Sequence, residues 1–166
     1  MDTGMLLARV VFGSLMAAHG AQKLFGWFGG YGIAGTGGYF ESLGFKPGRF
    51  FAAAAGFTEL TGGTLLALGL LGPLGPAMIV SVMVVAMATV HWQHGVFAQN
   101  NGIEVPLLYA VAAAALALIG FGVYSLDALL GLSWAEPVIW VALALGVGGG
   151  LANLAIRKTE AAPRAV

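Results

Sequence analysis

The sequence contains no cysteine. That excludes a disulfide framework, a thiol nucleophile and a dithiol relay within the chain. Charge is also scarce: 8% of the residues are charged, against roughly 25% in an ordinary soluble domain. A soluble surface built from so few charges would expose large apolar patches and aggregate. The net charge is zero and no basic stripe is present, so nucleic acid is not an expected partner. There is no P-loop, no dinucleotide-binding fingerprint and no HExxH helix. The glycines between Gly30 and Gly38 lack the lysine and the preceding strand that phosphate binding requires. Strand-like alternation is absent too, which argues against a barrel.

What the chain does have is apolar length, with 59% hydrophobic residues and 27 glycines. A bilayer core needs about 20 apolar residues per helix. Five segments approach that length, at about 4–25, 49–71, 76–92, 105–121 and 137–156. Pro76, Pro106 and Pro137 each fall in a first turn, where the missing N–H would have no intrahelical partner, and Pro47 sits just before the second segment. The expectation is an all-α membrane protein with a glycine-rich loop over 26–48, a tight turn at 72–76 and a polar loop over 93–104. The run Ala17-Ala18-His19-Gly20-Ala21 is small-residue-rich like a signal-peptide cleavage site. Met1-Asp2-Thr3-Gly4 lacks an early positive charge, so the first segment reads as a retained helix. With five crossings, Lys23, Lys46, Arg49, Arg157, Lys158 and Arg164 share one side. That asymmetry makes this side cytoplasmic and puts the N-terminus outside. Arg9, alone on the other side, reads as an end residue that snorkels to the interface.

Ionisable residues inside membrane helices are costly and mark function. Here they concentrate in one membrane half. His19, Gln22 and Lys23 share one face near the end of the first segment. Glu59 lies deep in the second, roughly 13 Å in at 1.5 Å per residue, on the face of Gly56 and Gly63, which lets a neighbouring helix approach it. His91 and His94 close the third segment, Glu104 opens the fourth, and Tyr109 comes just over a turn later. Each has a plainer reading. Lys23 can snorkel, and His91-Trp92 can form an interfacial belt. Glu104 can answer the helix dipole. The Met83, Met87, His91 stripe can be packing. Glu59 resists dismissal, because a carboxylate at that depth must be paired, protonated or hydrogen-bonded. A basic group from the first or third segment is the expected partner. Three histidines are enough in principle to ligate a metal or haem, but their spacing is not diagnostic. No metal site is therefore assigned.

The run His19-Gly20-Ala21-Gln22-Lys23-Leu24-Phe25-Gly26, with Phe28-Gly29-Gly30 after it, resembles the opening signature of the DoxX family. Glu59-Leu60-Thr61-Gly62-Gly63, Leu68-Gly69-Leu70-Leu71 and Met87-Ala88 through His91-Trp92 and Gly95 are similar to its central pattern. Asn101-Gly102-Ile103-Glu104 and Tyr124-Ser125-Leu126-Asp127 resemble its closing pattern, so the likeness spans about 4–130. Two departures stand out. Gly120-Phe121-Gly122-Val123 occupies a place where a proline and an arginine are expected, and a fifth hydrophobic segment extends beyond the usual four. The resemblance implies a four-helix transmembrane bundle over 1–130, with an additional helix over 131–156 and a polar tail over 157–166.

It also implies a small membrane subunit of a quinone-linked, respiratory-type oxidoreductase, working with other subunits and with lipid in a bacterial-type plasma membrane. On this reading Glu59, His19, Lys23 and His91 are the candidate catalytic residues. His19, Gln22, Trp92, Glu104 and Tyr109 are candidates for binding a quinone, with haem the other conceivable cofactor. Two other readings stay open: a non-enzymatic structural or assembly subunit, and a small-solute or proton transporter with Glu59 on the pathway.

Overall fold

A computed structural model describes residues 1–158. Arg164 and the end of the expected polar tail lie outside the described residues. Among the described residues there are helices and turns but no strand. The long helices are α1 (Asp2–Phe25), α3 (Gly48–Leu68), α4 (Leu74–His94), α5 (Glu104–Ile119) and α7 (Glu136–Ala155). Two short ones, α2 (Gly32–Ser42) and α6 (Leu126–Leu129), join them. Helices α1, α3, α4 and α7 are each long and apolar enough to cross a membrane.

Helix α5 has 16 residues, about 24 Å at 1.5 Å per residue. That falls short of a hydrocarbon core of about 30 Å. Both of its ends are nevertheless tied to neighbouring structure. Glu104 N–H donates to the Val96 carbonyl at 2.8 Å, and Val123 N–H in the next loop donates to Asp2 Oδ1 at 3.2 Å. Helix and loop together therefore return the chain to the start of α1. At the far end, Lys158 N–H donates to the Gly44 carbonyl at 2.9 Å, so Met1 and Lys158 lie at opposite ends of the bundle. Lys23, Lys46, Arg49, Arg157 and Lys158 make one end of the bundle basic, and Asp2, Asp127 and Glu136 make the other acidic.

Glycine sets the spacing of the helices. Gly13 and Gly20 on α1, and Gly56 and Gly63 on α3, repeat at seven residues and face each other across an antiparallel seam. A Cβ on Gly20 would fall 2.6 Å from the Gly56 carbonyl oxygen, and one on Gly63 would fall 2.5 Å from that of Gly13. Only a missing side chain permits backbones so close, and dispersion contacts then hold the two helices without any hydrophobic drive from lipid. Helix α7 uses the same device in parallel against α4. A Cβ on Gly146 would meet the Ala77 carbonyl oxygen at 2.5 Å, and one on Gly150 that of Ser81 at 2.7 Å. Met16, Leu66, Ile79, Met83, Ala113 and Leu116 from α1, α3, α4 and α5 form the central core, and Val80, Ala117, Ile139 and Leu143 form a second one under α7.

Two expectations are corrected. The segment 26–48 is not a loop: it holds a 3-10 turn, Trp27–Gly29, and helix α2. Helix α2 is rich in glycine, which lowers intrinsic helix propensity and hides it from pattern reading. It is fixed by packing on α3, and its Glu41 Oε1 accepts the Gly48 N–H at 3.0 Å, capping the start of α3. Arg9 does not snorkel. It is 2% exposed, and its guanidinium donates to the Ala67 carbonyl in the last turn of α3 and to the Tyr124 carbonyl. Terminal helix carbonyls have no intrahelical donor, and a cation suits them. The acidic half is thus not purely apolar. Asp127 is buried there too, accepting from Leu71 N–H, Gly72 N–H and Trp134 Nε1 at 2.8, 2.7 and 2.9 Å. Its carboxylate closes the α3–α4 turn.

Candidate functional site

The basic half of the bundle contains a cavity of about 750 Å³. Its walls are the end of α1, helix α2, one face of α3, one face of α4 and a single residue of α7. From α3 come Phe51, Ala54, Ala55, Thr58 and Glu59, spaced as one helical face. The Thr58 and Thr89 hydroxyls bond back to their own helices, at Ala54 and Val85. The lining is mostly aromatic and aliphatic with a few polar groups, as ligand cavities of roughly 300–1,000 Å³ commonly are.

Glu59 is 5% exposed and lies roughly 16 Å along α3 from Gly48. Its Oε2 accepts from Lys23 Nζ at 2.6 Å, an ion pair across the α1–α3 seam. The expected basic partner from the first helix is therefore present. The pair exists because Gly56, one turn before Glu59, lets α1 approach until a Cβ there would lie 3.2 Å from Lys23 Cβ. Lys23 has two further N–H groups, and Glu59 Oε1 has no hydrogen bond among the described residues, so both keep capacity toward the cavity they line.

His91, on α4, lines the same cavity. Its Nδ1 lies 2.7 Å from the Asn101 carbonyl oxygen. A carbonyl only accepts, so Nδ1 carries the proton, and Nε2 of the neutral ring is left as an acceptor. The turn that presents it, Met87–His91, is a π-helix. One extra residue in a turn rotates the helix beyond it, and such bulges recur at functional sites. Met83 is buried in the core and Met87 packs against it, while His91 reaches the cavity. The stripe is packing for its methionines alone.

A family model for DoxX matches residues 4–92. The chain belongs to the DoxX family. No curated protein and no solved structure matches it. It is a multi-pass membrane protein, with helices and no strand among the described residues and with long apolar helices suited to lipid.

The opening motif of this DoxX protein does two jobs. Gln22 organises the loop: its Nε2 donates to the Phe28 carbonyl at 3.1 Å, holding Phe28 at a φ of 52°, and its Oε1 accepts from His19 Nδ1 at 3.1 Å. Gly30 packs on Gln22, where a Cβ would lie 2.6 Å from the Gln22 Cβ. Lys23, one residue on, supplies the ion pair. The loop before Tyr124 lacks its expected arginine, and Arg9 from α1 places a cation on the Tyr124 carbonyl instead.

Only some of the residues singled out from sequence meet at the cavity. Gln22, Lys23, Glu59 and His91 line the cavity. His19 does not: its ring packs edge-on to Tyr109 on α5, centroids 6.0 Å apart, in the crevice between α1 and α5, where Tyr109 also meets Phe12 at 5.7 Å. Trp92 is 72% exposed and points outward. Glu104 Oε2 accepts the Ala98 N–H at 2.7 Å and so braces the α4–α5 loop. His94 turns back to the Val90 carbonyl at 2.8 Å. Among the described residues no three His, Asp or Glu side chains converge as metal ligands. Sequence reasoning missed Thr36, Ser81 and Asn153, which line the cavity with no hydrogen bond among the described residues.

If the ion pair holds α1 to α3, removing one partner is worse than removing both. Lys23→Met strands a buried carboxylate and should cost about 3–5 kcal/mol. Adding Glu59→Met should restore most of that loss. Thermal unfolding of the purified variants in detergent measures the cycle. Equal losses that simply add would show that the two charges are not coupled.

Proposed function

We propose that this protein is a small membrane subunit of a quinone-linked oxidoreductase complex, and that the cavity of the basic half takes the quinone headgroup. The observation that carries the proposal is the Lys23–Glu59 pair set into the wall of an apolar slot that His91 also lines. A quinone needs an apolar slot, hydrogen-bond donors for its oxygens and a proton route. The residues present fit that need: Lys23 has N–H groups to spare, Glu59 has a free oxygen, and His91 has a free Nε2.

When bound, a quinone supplies two-electron, two-proton chemistry. The chain's own residues bind and orient it. Lys23 donates to an oxygen of the ring. Glu59 and His91 hold or release protons within reach of the cavity. Phe40, Phe45 and Phe51 give the slot an apolar, aromatic wall for the ring. Electrons come from a partner subunit. The proposal also places the protein in a bacterial-type plasma membrane with the basic end in the cytoplasm, because Lys and Arg favour that side. A reporter fused ahead of Met1 should then be active only outside the cytoplasm, and activity inside would reverse the orientation.

Glu59→Gln separates this proposal from a purely structural subunit. The amide keeps the size and most hydrogen bonding but cannot exchange a proton. The variant should accumulate and assemble as the wild type does. Quinone-dependent turnover per assembled complex should fall by about 10²–10⁴. Reduced assembly with turnover per complex unchanged would assign Glu59 to architecture alone.

A further inference from the structure

The fifth long helix lies beyond the residues that the DoxX family model matches, yet it reaches the cavity at one point, Asn153. We infer that α7 is a wall of the ligand site and that the Asn153 carboxamide is a ligand-binding residue, serving the edge of the ligand opposite the one held by Lys23 and Glu59.

Three observations converge on this. Gly146, Gly150 and Asn153 succeed one another along one face of α7, and the two glycines lie on the Ala77 and Ser81 backbone of α4. That contact fixes the rotation of α7, and the fixed rotation turns Asn153 inward. The end of α7 is strapped down as well: Arg157 Nε donates to the Leu43 carbonyl, and Lys158 N–H to that of Gly44 at 2.9 Å. Finally, Asn153 is the single polar side chain in the apolar run of α7 between Glu136 and Arg157, and its amide has no hydrogen bond among the described residues. A carboxamide in a membrane helix is costly without a partner. Packing would be served better by leucine.

The strap brings the end of α7 level with the start of α3. Glu59 is roughly 16 Å along α3 from Gly48, and Asn153 only about 3 Å from Ala155. The two polar poles of the cavity are therefore offset by roughly 13 Å along the bundle axis, counted between backbones. One pole is ionic and the other a neutral amide that both donates and accepts. A neutral ring with hydrogen-bonding oxygens on opposite edges matches both poles. The assignment rests on the quinone reading for the ligand's class, but not for the placement of Asn153.

The test is binding of a short-chain ubiquinone analogue to the purified full chain in detergent, read by calorimetry. Asn153→Leu should fold as the wild type does and bind about tenfold more weakly, the loss of one good hydrogen bond. Asn153→Gln, which restores an amide, should recover part of that loss. Equal binding by the wild type and Asn153→Leu would overturn the role of Asn153 and leave the quinone reading intact. If the wild type does not bind the analogue, the quinone reading fails. Asn153 is then decided by mass spectrometry of the small molecules that the purified proteins retain. A species held by the wild type and lost from Asn153→Leu upholds the inference, and identical extracts overturn it.

Discussion

A carboxylate and an ammonium group lie 2.6 Å apart in the half of the bundle that holds the cavity, where Glu59 is the one buried charged residue among the described residues. The carboxylate would not be stable there alone, because a lone buried charge in such a setting costs several kcal/mol or changes its protonation, whereas the Lys23 side chain is 24% exposed and only partly buried. The pair demands that α1 and α3 stay in contact at one register. The seven-residue glycine repeats on both helices make that contact possible, and the pair makes any other register expensive. The same contact puts Gln22 in place to hold the Phe28 turn, from which α2 sets out to cover the cavity.

The two ends of the molecule divide labour. At the acidic end the buried charged side chains close the fold, although the Arg9 Nε is left without a partner there. Asp127 accepts three hydrogen bonds at the α3–α4 turn, and the Arg9 guanidinium caps the end of α3 and holds the loop after α5. At the basic end, polar groups remain unspent: the second oxygen of Glu59, the hydroxyls of Thr36 and Ser81 and the amide of Asn153. Polar groups that line a cavity with hydrogen-bonding capacity left over are available to another molecule.

Much of this was legible in the sequence. Apolar runs and first-turn prolines give the long helices to within a few residues, and depth alone singles out Glu59. For its partner the sequence offers a basic group of the first or third segment, and the structure selects Lys23. Other features left weaker traces. Arg9 looks like an end residue by position, although it is four residues before Gly13 and so sits on the seam. Helix α2 is masked by its glycines. Sequence gives the height of a residue in the membrane but not its direction around the helix axis. For that reason His19 and Glu104, level with the cavity, turn instead to Tyr109 and to the α4–α5 loop. Nothing in the sequence signals the π turn that aims His91, and a single asparagine in an apolar run signals little until the glycines around it show which way the helix faces.

The central claim is that the Lys23–Glu59 pair meets a ligand and is not simply an internal brace. Infrared difference spectroscopy of the wild type, with and without a short-chain ubiquinone, addresses it directly, with Glu59→Gln identifying the Glu59 carboxylate band. Binding should shift that band in the wild type and produce no matching difference in the variant. A Glu59 band that stays unmoved while the quinone is demonstrably bound would contradict the account.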